Sequence, residues 1–134
     1  MLAALAAQLG GRAQTLKTYQ GNWLAGLKRE SWRLPAVLLL FQESRAEQVA
    51  PRSYDLILDF TVLVVVRQLR GQAPGPGEGQ SAYELLASVR QALWHQDLGL
   101  NILPLALVKE EPLLNTREFA VYRAHYRTGG VQDF

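Results

Sequence analysis

The pattern of apolar and polar positions is dominated by Tyr54–Arg70, YDLILDFTVLVVVRQLR. Tyr54, Leu56, Leu58, Phe60, Val62, Val64 and Val66 recur at every second position. Successive side chains of a strand point to opposite faces, so these residues make one apolar face. The other face begins polar with Asp55 and Asp59 and turns apolar at Leu63 and Val65. That change predicts a strand that leaves solvent and becomes covered on both sides, within the domain or by a neighbouring subunit. The run is about three times the usual strand length of roughly 5–6 residues, so a bend, a bulge or a projection beyond the domain is expected.

The other elements fall around this strand. Leu2, Leu5 and Leu9 share a helical face that Gly10-Gly11 would end. A short helix is expected over Asn22–Arg29, with Asn22 as its cap. Leu34–Gln42, LPAVLLLFQ, reads as a buried strand with Pro35 near its beginning. Residues 43–52 read as a polar link, long enough for the next strand to return antiparallel. Gly71–Gly79, GQAPGPGEG, cannot continue a ladder, and 71–80 is expected to be an exposed loop. Ser81 and Glu84 form an S-x-x-E capping box. Behind it Ala82, Leu85, Leu86, Val89 and Leu93 make the stripe of a helix lying across a sheet. Asn101–Lys109 and Arg117–Arg127 read as closing strands, and 128–134 as a flexible tail. The sum is one α+β domain over 1–134: a mainly antiparallel sheet of about four strands with helices packed on one face.

Composition narrows the classes. Apolar residues make up 49% of the 134 positions and charged residues 19%, which predicts a folded chain with a real core. There is no cysteine, so disulfides and thiolate metal sites are excluded. A net charge of +2 is too small to argue for nucleic acid, although Arg12, Lys17, Lys28, Arg29 and Arg33 gather near the N-terminus against Glu30 alone. No run reaches the roughly 18–20 apolar residues of a membrane span. MLAALAAQLGG lacks the basic start of a signal peptide, and a cytoplasmic protein is expected.

The search for chemistry yields little. His95 and Asp97 could act as base and orienter, but a histidine in the last turn of a helix is the simpler reading. His125 reads as a packed or edge residue. Asp55 and Asp59 share a strand face at about 13 Å, too far for a carboxylate pair, and read as edge or interface residues. No histidine and carboxylate cluster has metal-ligand spacing. Trp23, Trp32 and Trp94 are scattered and read as core. The expectation is a non-enzymatic protein with no cofactor, no metal and no catalytic residue.

LPAVLLLFQ, FTVLVVVRQLRG, the Gly-rich gap, SAYELLASVRQALWHQDLGLNILPL and VYRAHYRT, in that order, resemble the Mu-like tail proteins of contractile-tailed phages and prophages. The layout is similar to the phage tail terminator fold, and the resemblance covers roughly residues 30–127. It implies a structural role: a ring, commonly of six subunits, on the head-proximal end of the tail tube and sheath that stops polymerisation. Partners would be other copies, the tube and sheath proteins and a head-tail connector, with neither membrane nor nucleic acid bound directly. Phage-like bacteriocins use the same part without a head. The protein would pass from the host cytoplasm into the particle. Phe60, Leu63, Val65, Arg67 and Arg70 are the candidate assembly interface, since the second apolar face of their strand needs a cover. The alternative is a small cytoplasmic nucleic-acid-binding or regulatory module.

Overall fold

The computed structural model describes residues 1–30, 32–67, 82–99 and 102–133, with backbone alone for 131–133. Helix α1 (Leu2–Leu9) leads to strand β1 (Thr15–Thr18) and helix α2 (Trp23–Glu30). Strands β2 (Ala36–Ala50) and β3 (Ser53–Arg67) follow, then helix α3 (Ala82–Leu93) and strands β4 (Ala106–Asn115) and β5 (Phe119–Asp133). The strands form a single sheet in the order β1-β2-β3-β5-β4.

The helix ends follow local chemistry. Gly10 closes α1 in the left-handed conformation at φ 58°, and its amide reaches the Ala6 carbonyl. Asn22 Oδ1 accepts from the amides of Leu24 and Ala25, the cap expected for α2. In α3, Ala82, Leu85, Leu86, Val89 and Leu93 are all buried, as their spacing requires. Ser81, the first half of the expected capping box, and the 71–80 loop lie outside the described residues.

The sheet itself departs from expectation. It has five strands instead of about four, and it is mixed, because β1 runs parallel to β2 from Thr15↔Ala36 to Thr18↔Leu39. Helices also cover both faces. On one face α1 and α3 pack Leu5, Leu9, Leu85, Val89 and Leu93 against Val37, Leu39, Val62, Val64, Ala124 and Tyr126. On the other, Leu27 of α2 packs with Ala36, Leu38, Leu63, Val65 and Val121, with Tyr19, Trp23 and Trp32 at the margin. The mainly antiparallel sheet with helices on one face is therefore corrected. The alternation of Leu63 and Val65 with Val62 and Val64 has two internal partners, one on each face.

Two segments read as irregular are strand. The polar link at 43–52 is mostly β2, which pairs with β3 to Ala50↔Ser53. The tail from Thr128 is the end of β5, which pairs with β3 to Ser53↔Asp133. β4 begins and ends later than expected and carries Pro112 inside it, on an outer strand where a missing N–H is tolerated.

Candidate assembly surface

The ends of three strands form an arm. Residues 44–50 of β2, 53–58 of β3 and 128–133 of β5 stay paired beyond the level where β1 and β4 stop. Every residue of β2 from Phe41 to Ala50 is exposed. At the base of the arm the β2–β3 register shifts between Phe41 and Glu43, a bulge that bends the strand and strengthens its twist. Phe41 and Phe60 meet edge to face there, with centroids 5.6 Å apart. Phe41 is 56% exposed, an apolar ring held at the surface by a fixed neighbour.

A polar cluster lies beside the base on the α2 face. β3 and β5 set Asp59 opposite Arg127, two pairs along from Thr61 and His125 and on the same face. Arg127 Nε donates to Asp59 Oδ1 at 2.9 Å, and His125 Nε2 reaches the same oxygen at 2.8 Å. An ionised carboxylate only accepts, so Nε2 donates in this contact. Asp59 is 2% exposed. Burial pushes its carboxyl up, but the bonds and charges of Arg127 and His125 outweigh burial and hold it below the usual value of 3.8. Gln42, Glu43, Asp59, His125 and Arg127 line a shallow polar cleft, and Thr61 donates to Gln42 Oε1 beside it. Next along β5, Arg123 bonds Glu111 of β4 and holds that carboxyl low against its own desolvation.

The cluster was within reach of the sequence only as a face assignment. Alternation sets Asp59 on the second face of its strand and His125 with Arg127 on one face of theirs. What joins them is the register of β3 against β5, which alternation does not fix. Neither β3 nor β5 is an edge of the sheet, so the edge reading of Asp59 and of His125 is corrected, whereas His125 is packed, and its partner is Asp59. Asp55 is half-buried further along the arm.

The five residues expected at the interface separate. Leu63, 1% exposed, and Val65, 0% exposed, are covered by the chain's own α2 face. They are core residues, and the argument that their face needs a neighbouring subunit falls. Phe60 is half-buried at the arm's base, and Arg67 is exposed at the end of β3. Arg70 lies outside the described residues.

The other candidates are local. His95 stacks on Trp94 with centroids 4.9 Å apart, and Asp97 accepts from the Gly99 amide in a turn. Trp94 is 39% exposed, whereas Trp23 and Trp32 border the second core. Among the N-terminal cations, Arg12 bonds the carbonyls of Gln8 and Leu9 and Ser88 Oγ, tying α1 to α3. Lys17 sits over the rings of Tyr19 and Trp32. Among the described residues no helix is long and apolar enough to cross a membrane.

A family model described as Bacteriophage Mu, Gp37 matches residues 1–129. The chain belongs to that family. The match extends over residues 1–29, which the resemblance in the sequence had left out. The comparison with curated proteins gives no match. Membership in the Gp37 family supports a phage structural protein, the coarser part of the expectation drawn from the sequence.

Proposed function

We propose that this Gp37-family chain is the tail terminator of a contractile phage tail, or of a headless phage-like tail. In this reading it forms a ring, of six copies by resemblance, on the head-proximal end of the tube and sheath and stops their polymerisation. Its partners are other copies, the tube protein, the sheath protein and a head-tail connector. It acts by shape and not by catalysis.

One observation carries the reading: the arm of β2, β3 and β5 reaches past the helices and leaves Phe41 exposed. A ring needs a heterologous contact that closes, and a cap needs a face that the next layer of subunits cannot use. An arm projecting from a body covered by helices offers a surface for each. Arg12 and Lys17 are engaged within the chain, which weakens the nucleic-acid alternative.

The test is tail length. Removal of this gene from an inducible Mu-like prophage should give tails of abnormal and variable length by electron microscopy, restored by the wild-type gene. Tails of normal length and intact attachment in its absence would refute the terminator role.

A further inference from the structure

The outer edge of β2 has the pattern of a self-pairing strand. β1 covers that edge only from Ala36 to Leu39, with a last bond from the Tyr19 amide to the Leu39 carbonyl. Among the described residues nothing lies beside β2 beyond that point, and an open row of N–H and C=O groups is a template for another strand. The opposite edge of the sheet is blunted by Pro112, Lys109 and two register shifts in β4. Residues 41–50 of β2 hold neither proline nor lysine.

The direction of the free groups can be traced from β5. The Gly129 carbonyl accepts from the Leu103 amide on the side away from β3. Opposite residues of an antiparallel ladder alternate between bonded and non-bonded pairs, so Gly130 and Leu56 are bonded to each other. Ala46, opposite Leu56, therefore turns its N–H and C=O outward, and Ser44 and Gln48 do the same. Glu43, Arg45 and Glu47 lie opposite Asp59, Ile57 and Asp55 and share one face of the arm. Arg45 is 3.6 Å from Glu43 on its own strand, and among the described residues Glu47 has no ion pair.

We infer that this edge binds a second copy of the same chain, β2 against β2 and antiparallel, about a two-fold axis at Ala46. That register sets Ser44 against Gln48 of the second copy as bonded pairs. It also sets Arg45 against Glu47 of the second copy, twice by symmetry. The strand of the second copy reaches Gln42 at Ala50 and turns away before β1. The neighbouring registers fail. An axis at Arg45 or at Glu47 opposes like charges, and an axis at Ser44 drives Ala50 of the second copy onto Leu38, which β1 already covers. A two-fold contact closes at two copies, so it does not build a ring; it covers the edge while the protein is free of any particle. The inference does not depend on the terminator role.

The absence of cysteine makes the test clean. In the bonded pair at the axis the two Ala46 Cα atoms would lie about 5.5 Å apart, a spacing that a disulfide spans. Under mild oxidation of the full-length protein, Ala46→Cys should be captured mostly as a linked dimer. Val49→Cys, whose copies the register keeps apart, should stay unlinked while still self-associating. Sedimentation over a concentration series should show wild-type self-association. Arg45→Glu should weaken it ~10-fold, and Arg45→Glu with Glu47→Arg should restore it. A wild-type protein that stays monomeric throughout, or equal crosslinking at positions 46 and 49, would overturn the inference.

Discussion

Asp59 and Arg127 face each other across β3 and β5 and meet at 2.9 Å, the carboxylate side chain 3% exposed and the guanidinium side chain 43%. The pair is asymmetric: the anion depends on its partners, whereas the cation reaches water. Loss of Asp59 therefore leaves a charge that solvent can still accommodate, and loss of the cation would leave a buried charge. Asp59→Asn should destabilise the fold by about 2 kcal/mol, at the lower end for a broken charge-assisted network because Arg127 is partly solvated. Arg127→Met should cost more. Urea denaturation at pH 7 compares the two.

The same carboxylate sets an acid limit. Its folded pKa lies below the ordinary 3.8, so its contribution to stability is present above that value. It is lost as pH falls below 3.8 toward the depressed folded value, because the unfolded state takes up the proton first. Midpoints measured from pH 5 down to pH 2 should fall less steeply for Asp59→Asn than for the wild type. Parallel curves would show that this group does not contribute to the acid limb.

Gly129 is fixed by backbone and not by a turn. A Cβ there would stand 2.1 Å from the Leu56 carbonyl oxygen, and that oxygen belongs to a paired strand. Gly129→Ala must therefore push β5 from β3 within the arm. A loss of about 1–3 kcal/mol is expected, the usual range for overpacking. Amide exchange should rise first in 53–58 and 128–133, with the α3 core affected least.

Leu63 and Phe41 should separate folding from attachment. Leu63→Ala empties a fully enclosed position and should cost about 2–5 kcal/mol. Phe41→Ser changes an exposed ring and should move stability by less than about 1 kcal/mol, while weakening attachment to tails if the arm makes that contact. Thermal melts and tail pull-down of both variants would show the crossover. Equal loss of stability in both would contradict the burial difference.

Legibility in the sequence followed burial. The α3 stripe, the Asn22 cap, the Gly10 stop and the two faces of β3 all left a period or a residue type that local physics forces. The strands failed where they leave the core. Residues 43–50, ESRAEQVA, are strand with both faces in solvent, so no period of two was imposed on them. Gly129-Gly130 resembles a loose end, yet glycine is needed there because Leu56 comes so close. β1 is four residues, TLKT, and its parallel partner is about twenty positions away, a pairing local patterning does not encode. The second cover for Leu63 and Val65 comes from α2, WLAGLKRE, whose thin apolar stripe leaves a cover within the domain and one from a neighbouring subunit both open in the sequence. Asp59 and His125 were legible as residues but not as neighbours, since their meeting is a property of register.

The bulge at Phe41/Glu43 sets the angle at which β2 leaves the root of the arm. From there to the turn at Pro51 the strand spans about 25 Å at the ordinary rise per residue. Over that length a change of about 5° in the angle at the root displaces the hairpin tip by about 2 Å. In the proposed ring, a small difference in that angle from copy to copy would let each one meet a mating surface at its own height.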